Sequence, residues 1–356
     1  QVPALYRTGG QSGRIVVGDG EFVPSAEGSI LVNDGGDGFY RVNYPTGVRA
    51  RLADEFADLA PAERYALLAD TWANVLAGQT AAGEFISLVG ALDEEHEPDV
   101  WGVAVGGLAE LDRVISSDDR PAMQQMVRDL VRDHVSELGW VPDEGETDQK
   151  RRLRALLLRT AGTLGDDVAV QEAARDVFEA FQTDPASTGG DVADAAVGIV
   201  AANGSVAEFE RLLEMRDQAT SPQDEVRYLR AAAAVPDRAT AERLVDMVLA
   251  GEVRSQDSNW LLARLLGHRE TGPAVWEMVK ENWDDLLAAM PAQHKRRMLD
   301  MIMYRSEPDI AADIESWLTG HPFPASEQFT AQQLERLRVR VGLRKRESSR
   351  LGDAIG

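Results

Sequence analysis

Cysteine is absent from the 356 residues. This removes disulfides, thiolate catalysis, iron–sulfur clusters and cysteine-ligated zinc together, and it fits a reducing compartment such as the cytoplasm. Histidine is scarce, with five scattered residues. Positive charge is also short: 37 Lys+Arg stand against 60 Asp+Glu, for a formal net charge of -23. Such a chain repels a polyanion at long range, whereas nucleic-acid binding needs a basic face for counterion release. No apolar run approaches the ~20 residues of a membrane span, and the start Gln1-Val2-Pro3 lacks the charged-then-apolar pattern of a signal peptide. The resulting expectation is a soluble, cytoplasmic protein with no nucleic-acid partner and no membrane partner. With 44% hydrophobic residues, a chain of this length has room for a large core in two or three domains.

Familiar catalytic patterns are missing too. His96-Glu97-Pro98-Asp99-Val100 begins like a zincin helix, but Val100 stands where the second His must be, and Pro98 interrupts the turn that would bring both imidazoles to one metal. Asn33–Gly38 has the Asn, Asp and Gly of a calcium loop without the distal bidentate Glu, and reads better as a hairpin turn. Gly10-Gln11-Ser12-Gly13 has the wrong spacing for a nucleophile elbow, and there is no phosphate loop or dinucleotide fingerprint. No metal site and no catalytic residue can be assigned.

What is present changes texture near residue 46. Before it, Arg14-Ile15-Val16-Val17, Ser29-Ile30-Leu31-Val32-Asn33 and Phe39-Tyr40-Arg41-Val42-Asn43-Tyr44 are short β-branched or aromatic runs between Gly/Asp clusters, which predict three or four strands. After it, apolar residues recur at steps of 3 and 4, as in Leu68, Trp72, Val75 and Leu76 or Trp101, Leu108, Leu111 and Ile115. Short Gly/Pro/Asp/Asn breaks separate these stripes. The expected fold is mainly α: residues 1–46 form a partial β-sandwich segment, and residues 47–356 an α-solenoid of HEAT/armadillo-like helix pairs. The polar stretches 93–99 and 141–148 are expected to be mobile loops. Seven bases against three acids between Gln333 and Gly356 suggest a basic final helix paired with the acidic body, or else a nucleic-acid or membrane contact.

Particular residues carry a family resemblance. Val32-Asn33 followed by Gly38-Phe39-Tyr40-Arg41-Val42-Asn43-Tyr44 resembles the strand pair with which the β-sandwich of the zinc aminopeptidases, the aminopeptidase N-like gluzincins, passes into their C-terminal (ERAP-type) helical domain. Arg64, Asp70, Trp72, Val100-Trp101, Leu138-Gly139-Trp140, Arg154, Gly165-Asp166, Asn203-Gly204, Val253-Arg254-Ser255-Gln256-Asp257 and Trp276 follow in the family's order.

The resemblance implies a non-catalytic domain that closes like a bowl over a zinc site, gating and helping to bind peptides whose N-terminal residues are removed. The zinc and its ligands belong to an upstream catalytic domain of the same polypeptide. No cofactor is therefore expected in this chain, which reads as the last part of a longer enzyme. Gln256, Asp257 and Ser258 are the implied substrate-facing residues, with the alternative that Asp257 or Ser255 merely caps a helix. Arg41 and Tyr44 are expected to fix the joint between sandwich and solenoid. An acidic bowl would favour peptides with basic or free amino ends. The competing reading is a free-standing helical-repeat adaptor that binds a protein or peptide.

Overall fold

The fold is that of a computed structural model describing residues 2–18, 29–184, 188–323 and 326–355. Strands β1 (Val2–Thr8), β2 (Gln11–Val17) and β3 (Ile30–Val32) form one antiparallel sheet in the order β2-β1-β3. β1 turns into β2 through Gly9 and Gly10, at φ 53° and 75°, the left-handed conformation that a tight two-residue hairpin requires. Tyr6 pairs with Val32 and Arg7 with Leu31 across β1 and β3.

The run Phe39–Tyr44, expected as a strand, is not one. Asn33 and Gly36 do close a turn, but no paired strand follows, so the hairpin expectation is also corrected. The backbone of this run is committed to a helix instead. Asp70 accepts from the Val42 N–H (3.0 Å) and from Arg41 Nη1 (2.8 Å), while Asn74 Nδ2 donates to the Val42 carbonyl (2.8 Å). Asn33 clasps both backbone groups of Gly38, and a Cβ at Gly38 would lie 2.5 Å from Asn33 Oδ1, which explains glycine there. The buried Tyr44 hydroxyl accepts the Val32 N–H (2.9 Å) and donates to the Val32 carbonyl (3.0 Å), joining β3 to the start of the helical region. Burial raises the pKa of this phenol, keeping it a neutral donor.

Seventeen α-helices follow among the described residues. They are α1 (Thr46–Asp54), α2 (Pro61–Leu76), α3 (Ala82–Val89), α4 (Pro98–Val114), α5 (Arg120–Leu138) and α6 (Asp148–Gly162). Next come α7 (Val168–Thr183), α8 (Gly190–Ala202), α9 (Val206–Asp217), α10 (Pro222–Ala232), α11 (Arg238–Leu249) and α12 (Ser255–Gly267). The last are α13 (Gly272–Glu281), α14 (Trp283–Ala288), α15 (Pro308–Gly320), α16 (Glu327–Glu347) and α17 (Leu351–Ile355). Their starts follow local chemistry. Proline opens α2, α4, α10 and α15, where its missing N–H costs nothing, and Asp167, Ser221 and Asp237 side chains accept from orphan N–H groups of α7, α10 and α11.

α2, α4, α6, α8 and α10 pack side by side, and α5, α7 and α9 cover α6, α8 and α10. Their apolar stripes merge into one core, with Trp101 and Trp276 completely buried. The array then departs from an open solenoid, in which each unit meets only its neighbours. α16 returns to pack on α2 and α4. Arg346 donates to the Val75 and Leu76 carbonyls at the end of α2 (3.0 and 3.1 Å), and Arg340 pairs with Glu110 on α4. The basic helix α16 therefore serves the acidic body and the helix ends, as its charge pattern suggested.

Both stretches expected to be mobile are anchored. Glu95, 3% exposed, accepts from Arg64 Nε (2.6 Å) and from the Glu97 N–H (2.8 Å). Its carbonyl takes the Trp101 indole N–H (2.8 Å). Glu146 forms a two-pronged ion pair with Arg154, both side chains 1% exposed, and Arg154 also donates to the Leu138 carbonyl (2.9 Å). Polar sequence signals a loop, but the partner that holds it lies elsewhere in the chain.

Two predictions follow from these anchors. Removing one member of a buried ion pair strands the other, so Arg154→Ala should lower the urea-unfolding free energy by about 3–5 kcal/mol. The hydrogen bonds from Arg154 depress the Glu146 pKa despite the opposing effect of burial. Its contribution is thus complete above the unfolded carboxylate value, about pH 4.3, and is lost as pH falls through the folded value. Glu146→Gln should flatten that acid limb of the stability curve. At the joint, Tyr44→Phe leaves the Val32 N–H and carbonyl without their shared partner and should cost about 1–3 kcal/mol, read as a lowered urea midpoint at unchanged m-value.

Candidate functional site

The C-terminal ends of successive core helices converge on one cleft of about 610 Å³. α4 supplies Asp112 and Arg113, α6 Arg159 and Thr160, α8 Gly198 and Ala202, and α12 Arg264 and the following His268. The segment after α10 adds Ala234.

α4 and α12 are tied together beside this cleft. Arg113 Nη1 donates to the Gly267 carbonyl at the end of α12 (2.7 Å). The nearly buried Asp112 takes Arg120 Nε on one oxygen (2.9 Å) and Arg269 Nη1 on the other (2.6 Å). Each bond is charge-assisted, and the carboxylate oxygens are shared between two helical regions that are distant in sequence. His268 Nδ1 accepts the Thr271 N–H (3.2 Å), which leaves Nε2 as the donor to the Ala234 carbonyl (3.3 Å). Burial lowers the His268 pKa, in keeping with this neutral form. The same cause lowers the Arg113 pKa.

The cleft is basic, although the protein as a whole is strongly acidic. Five arginines and three carboxylates line it. The acidic lining expected of a bowl is not found at this cleft. A second recess, of about 830 Å³, lies where Gly38, Tyr40 and Arg41 approach the starts of α2 and α4, and its charged lining is Asp70, Glu97 and Asp99 against Arg41. The two recesses thus carry opposite charge.

The residues expected to face substrate lie at the start of α12, outside the lining of the 610 Å³ cleft. Gln256 is exposed. Asp257 is held sideways by Arg254 Nε (2.7 Å) and the Trp260 indole N–H (2.9 Å). Ser258 is buried, with its hydroxyl donating to the Arg254 carbonyl (3.3 Å). Neither Asp257 nor Ser255 caps α12, whose first N–H groups have no side-chain cap. Arg41 contacts Asp70 while remaining 64% exposed, and Tyr44 is the buried clasp already described.

Sequence reasoning missed the arginines of the cleft. A signal existed, since Arg113, Arg159 and Arg264 occupy the last turns of α4, α6 and α12. Among the described residues, no group of three or more His, Asp or Glu side chains converges as metal ligands, and no helix is long and apolar enough to cross a membrane.

The chain is similar to known aminopeptidases over most of its length. It is 30% identical over 267 residues to Aminopeptidase M1-A of Oryza sativa subsp. japonica, covering 72% of this chain and 30% of that protein. It is 25% identical over 259 residues to the Alanine/arginine aminopeptidase of Saccharomyces cerevisiae, again covering 72% and 30%. Against the Puromycin-sensitive aminopeptidase of Caenorhabditis elegans it is 24% identical over 265 residues, covering 72% and 28%. The chain thus spans about a third of the length of these relatives. The sequence model of the ERAP1-like C-terminal domain matches residues 29–339, which include the joint, the helical array and the cleft. The chain belongs to this family, the C-terminal domains of the M1 aminopeptidases.

Proposed function

We propose that this chain is the non-catalytic, peptide-gating part of a zinc-dependent aminopeptidase, acting with an upstream catalytic domain of the same polypeptide that holds the zinc. The observation that carries the reading is the cleft at the converging helix ends, bordered by the bonds between α4 and α12. A recess of this size accommodates several residues of an extended peptide, and the helices that wall it restrict access. Residues 1–46 act as the edge of a β-sandwich and residues 47–356 as the helical domain. Arg41 and Tyr44 fix the joint between them through Asp70 and Val32.

At the start of α12, Gln256 is the residue exposed to meet a peptide, while Asp257 is engaged with Arg254 and Trp260. Ser258 serves the helix itself.

Two measurements test this reading. The chain alone should not hydrolyse aminoacyl reporter substrates with added zinc, and joining it to the catalytic region should restore peptide trimming. Zinc-dependent activity of the isolated chain would overturn the proposal. In the joined enzyme, Asp112→Asn weakens two charge-assisted bonds of the tie. It should lower kcat/KM for peptides by about tenfold while leaving small aminoacyl reporters nearly unchanged. Equal loss on both substrate types would argue against gating.

A further inference from the structure

Two guanidinium groups that line the cleft, those of Arg159 and Arg264, and a third near Arg264, that of Arg230, lack carboxylate partners. Among the described residues, Arg264 makes no hydrogen bond or ion pair, Arg159 donates only to the Asp194 carbonyl (2.9 Å), and Arg230 rests over the Trp260 ring (5.2 Å). All three remain open to solvent. The other charges of the lining have partners of their own, Glu270 lying 3.8 Å from Arg120 and 3.9 Å from Arg269. Asp112 holds Arg120 and Arg269, Arg113 serves the Gly267 carbonyl, and Asp166 accepts from Gln171.

The three arginines occupy the last turns of α6, α10 and α12, where helix dipoles favour cations. Formally the lining carries five arginines against Asp112, Asp166 and Glu270, a surplus of two positive charges that the helix ends reduce. The arginines also act on one another. The protein surrounding Arg264 lowers its pKa, and the nearby Arg159 and Arg230 lower it further. Confined like charges raise the free energy of the empty cleft and lower that of one holding an anion. In a protein with a formal net charge of -23, such a concentration of positive charge is a local specialisation.

We infer that the cleft binds acidic side chains of a peptide segment, with Arg264 as the principal anchor and Arg159 beside it. This assignment rests on the peptide-gating reading and names the class of peptide that reading leaves open. Two guanidinium groups without carboxylate partners, on separate helices, select a pair of side chains over a chain terminus, which brings one carboxylate. Guanidinium groups are suited to the task, since their planar forks meet carboxylates with paired hydrogen bonds.

The test uses the chain itself and fluorescein-labelled hexapeptides, with binding followed by fluorescence anisotropy at low salt. One peptide is amidated and carries two adjacent glutamates, the second has glutamines in their place, and the third is the glutamine peptide with a free C-terminal carboxylate. The diglutamate peptide should bind at least about tenfold more tightly than either of the others, and Arg264→Gln should abolish that advantage. Arg159→Gln should reduce it by about threefold to tenfold. Arg338→Gln, which alters an exposed pair with Glu315, should leave it intact. Thermal unfolding of each variant separates loss of binding from loss of fold, and Arg159→Gln provides a second independent test. The inference is overturned if the diglutamate and diglutamine peptides bind equally, if Arg264 and Arg159 prove indifferent, or if the free-acid peptide matches the diglutamate one. Binding of neutral peptides alone would remove the acidic specificity and leave peptide gating standing. Binding of none would overturn the acidic assignment, while the reconstitution assay judges gating separately.

Discussion

Guanidinium groups hold this fold together by bonding the carbonyls that helices leave unsatisfied at their ends. Arg346 closes α2, Arg154 reaches the end of α5, and Arg113 bridges from α4 to the last carbonyl of α12. Arg344 in turn takes the Arg113 carbonyl. A stack of short helices has many such ends, and each buried carbonyl without a partner would be costly. A planar group with five N–H donors can serve a carbonyl and a carboxylate together, as Arg154 does, which a lysine ammonium does with less geometric control. The composition follows this demand: 33 of the 37 basic residues are arginine.

The same chemistry produces both cohesion and a binding surface. Where an arginine meets a carbonyl and a carboxylate, it is consumed in structure, as Arg154 is by Leu138 and Glu146. Where the carboxylate is missing, as at Arg264, the charge remains available at the surface of the cleft. A strongly acidic exterior and a basic interior recess can therefore coexist, because potential inside a concavity is set by the nearest charges and the low-dielectric walls around them. Net charge described the outside of this protein and misjudged its cleft.

Much of the helical architecture was legible in the sequence, because a period of 3.6 over many stripes, with Pro, Ser and Asp at their starts, leaves few alternatives. Local signals failed where distant partners decided the outcome. Phe39–Tyr44 has the composition of a strand, but Asp70 and Asn74 provide the hydrogen bonds that a neighbouring strand would have supplied. β1, which carries little strand signal of its own, was not among the runs named from the sequence. The stretches around Glu95 and Glu146 look like open loops until Arg64 and Arg154 are placed beside them. The candidate site was less legible still. The family resemblance directed attention to the start of α12, whereas the arginines collect at the other end of that helix, and their convergence depends on helix order and packing.

The bond from Arg346 to the end of α2 also has a meaning in time. The two carbonyls it satisfies belong to residues made about 270 positions earlier in the chain. At about 5–20 residues per second, the ribosome needs roughly 15–55 s to cover that distance. Throughout that interval the first helices must remain hydrated at their ends and uncovered on the face that α16 will occupy. Completion of the array is therefore a late event in synthesis, and the nascent N-terminal half is the stage at which a chaperone or a protease has its longest access.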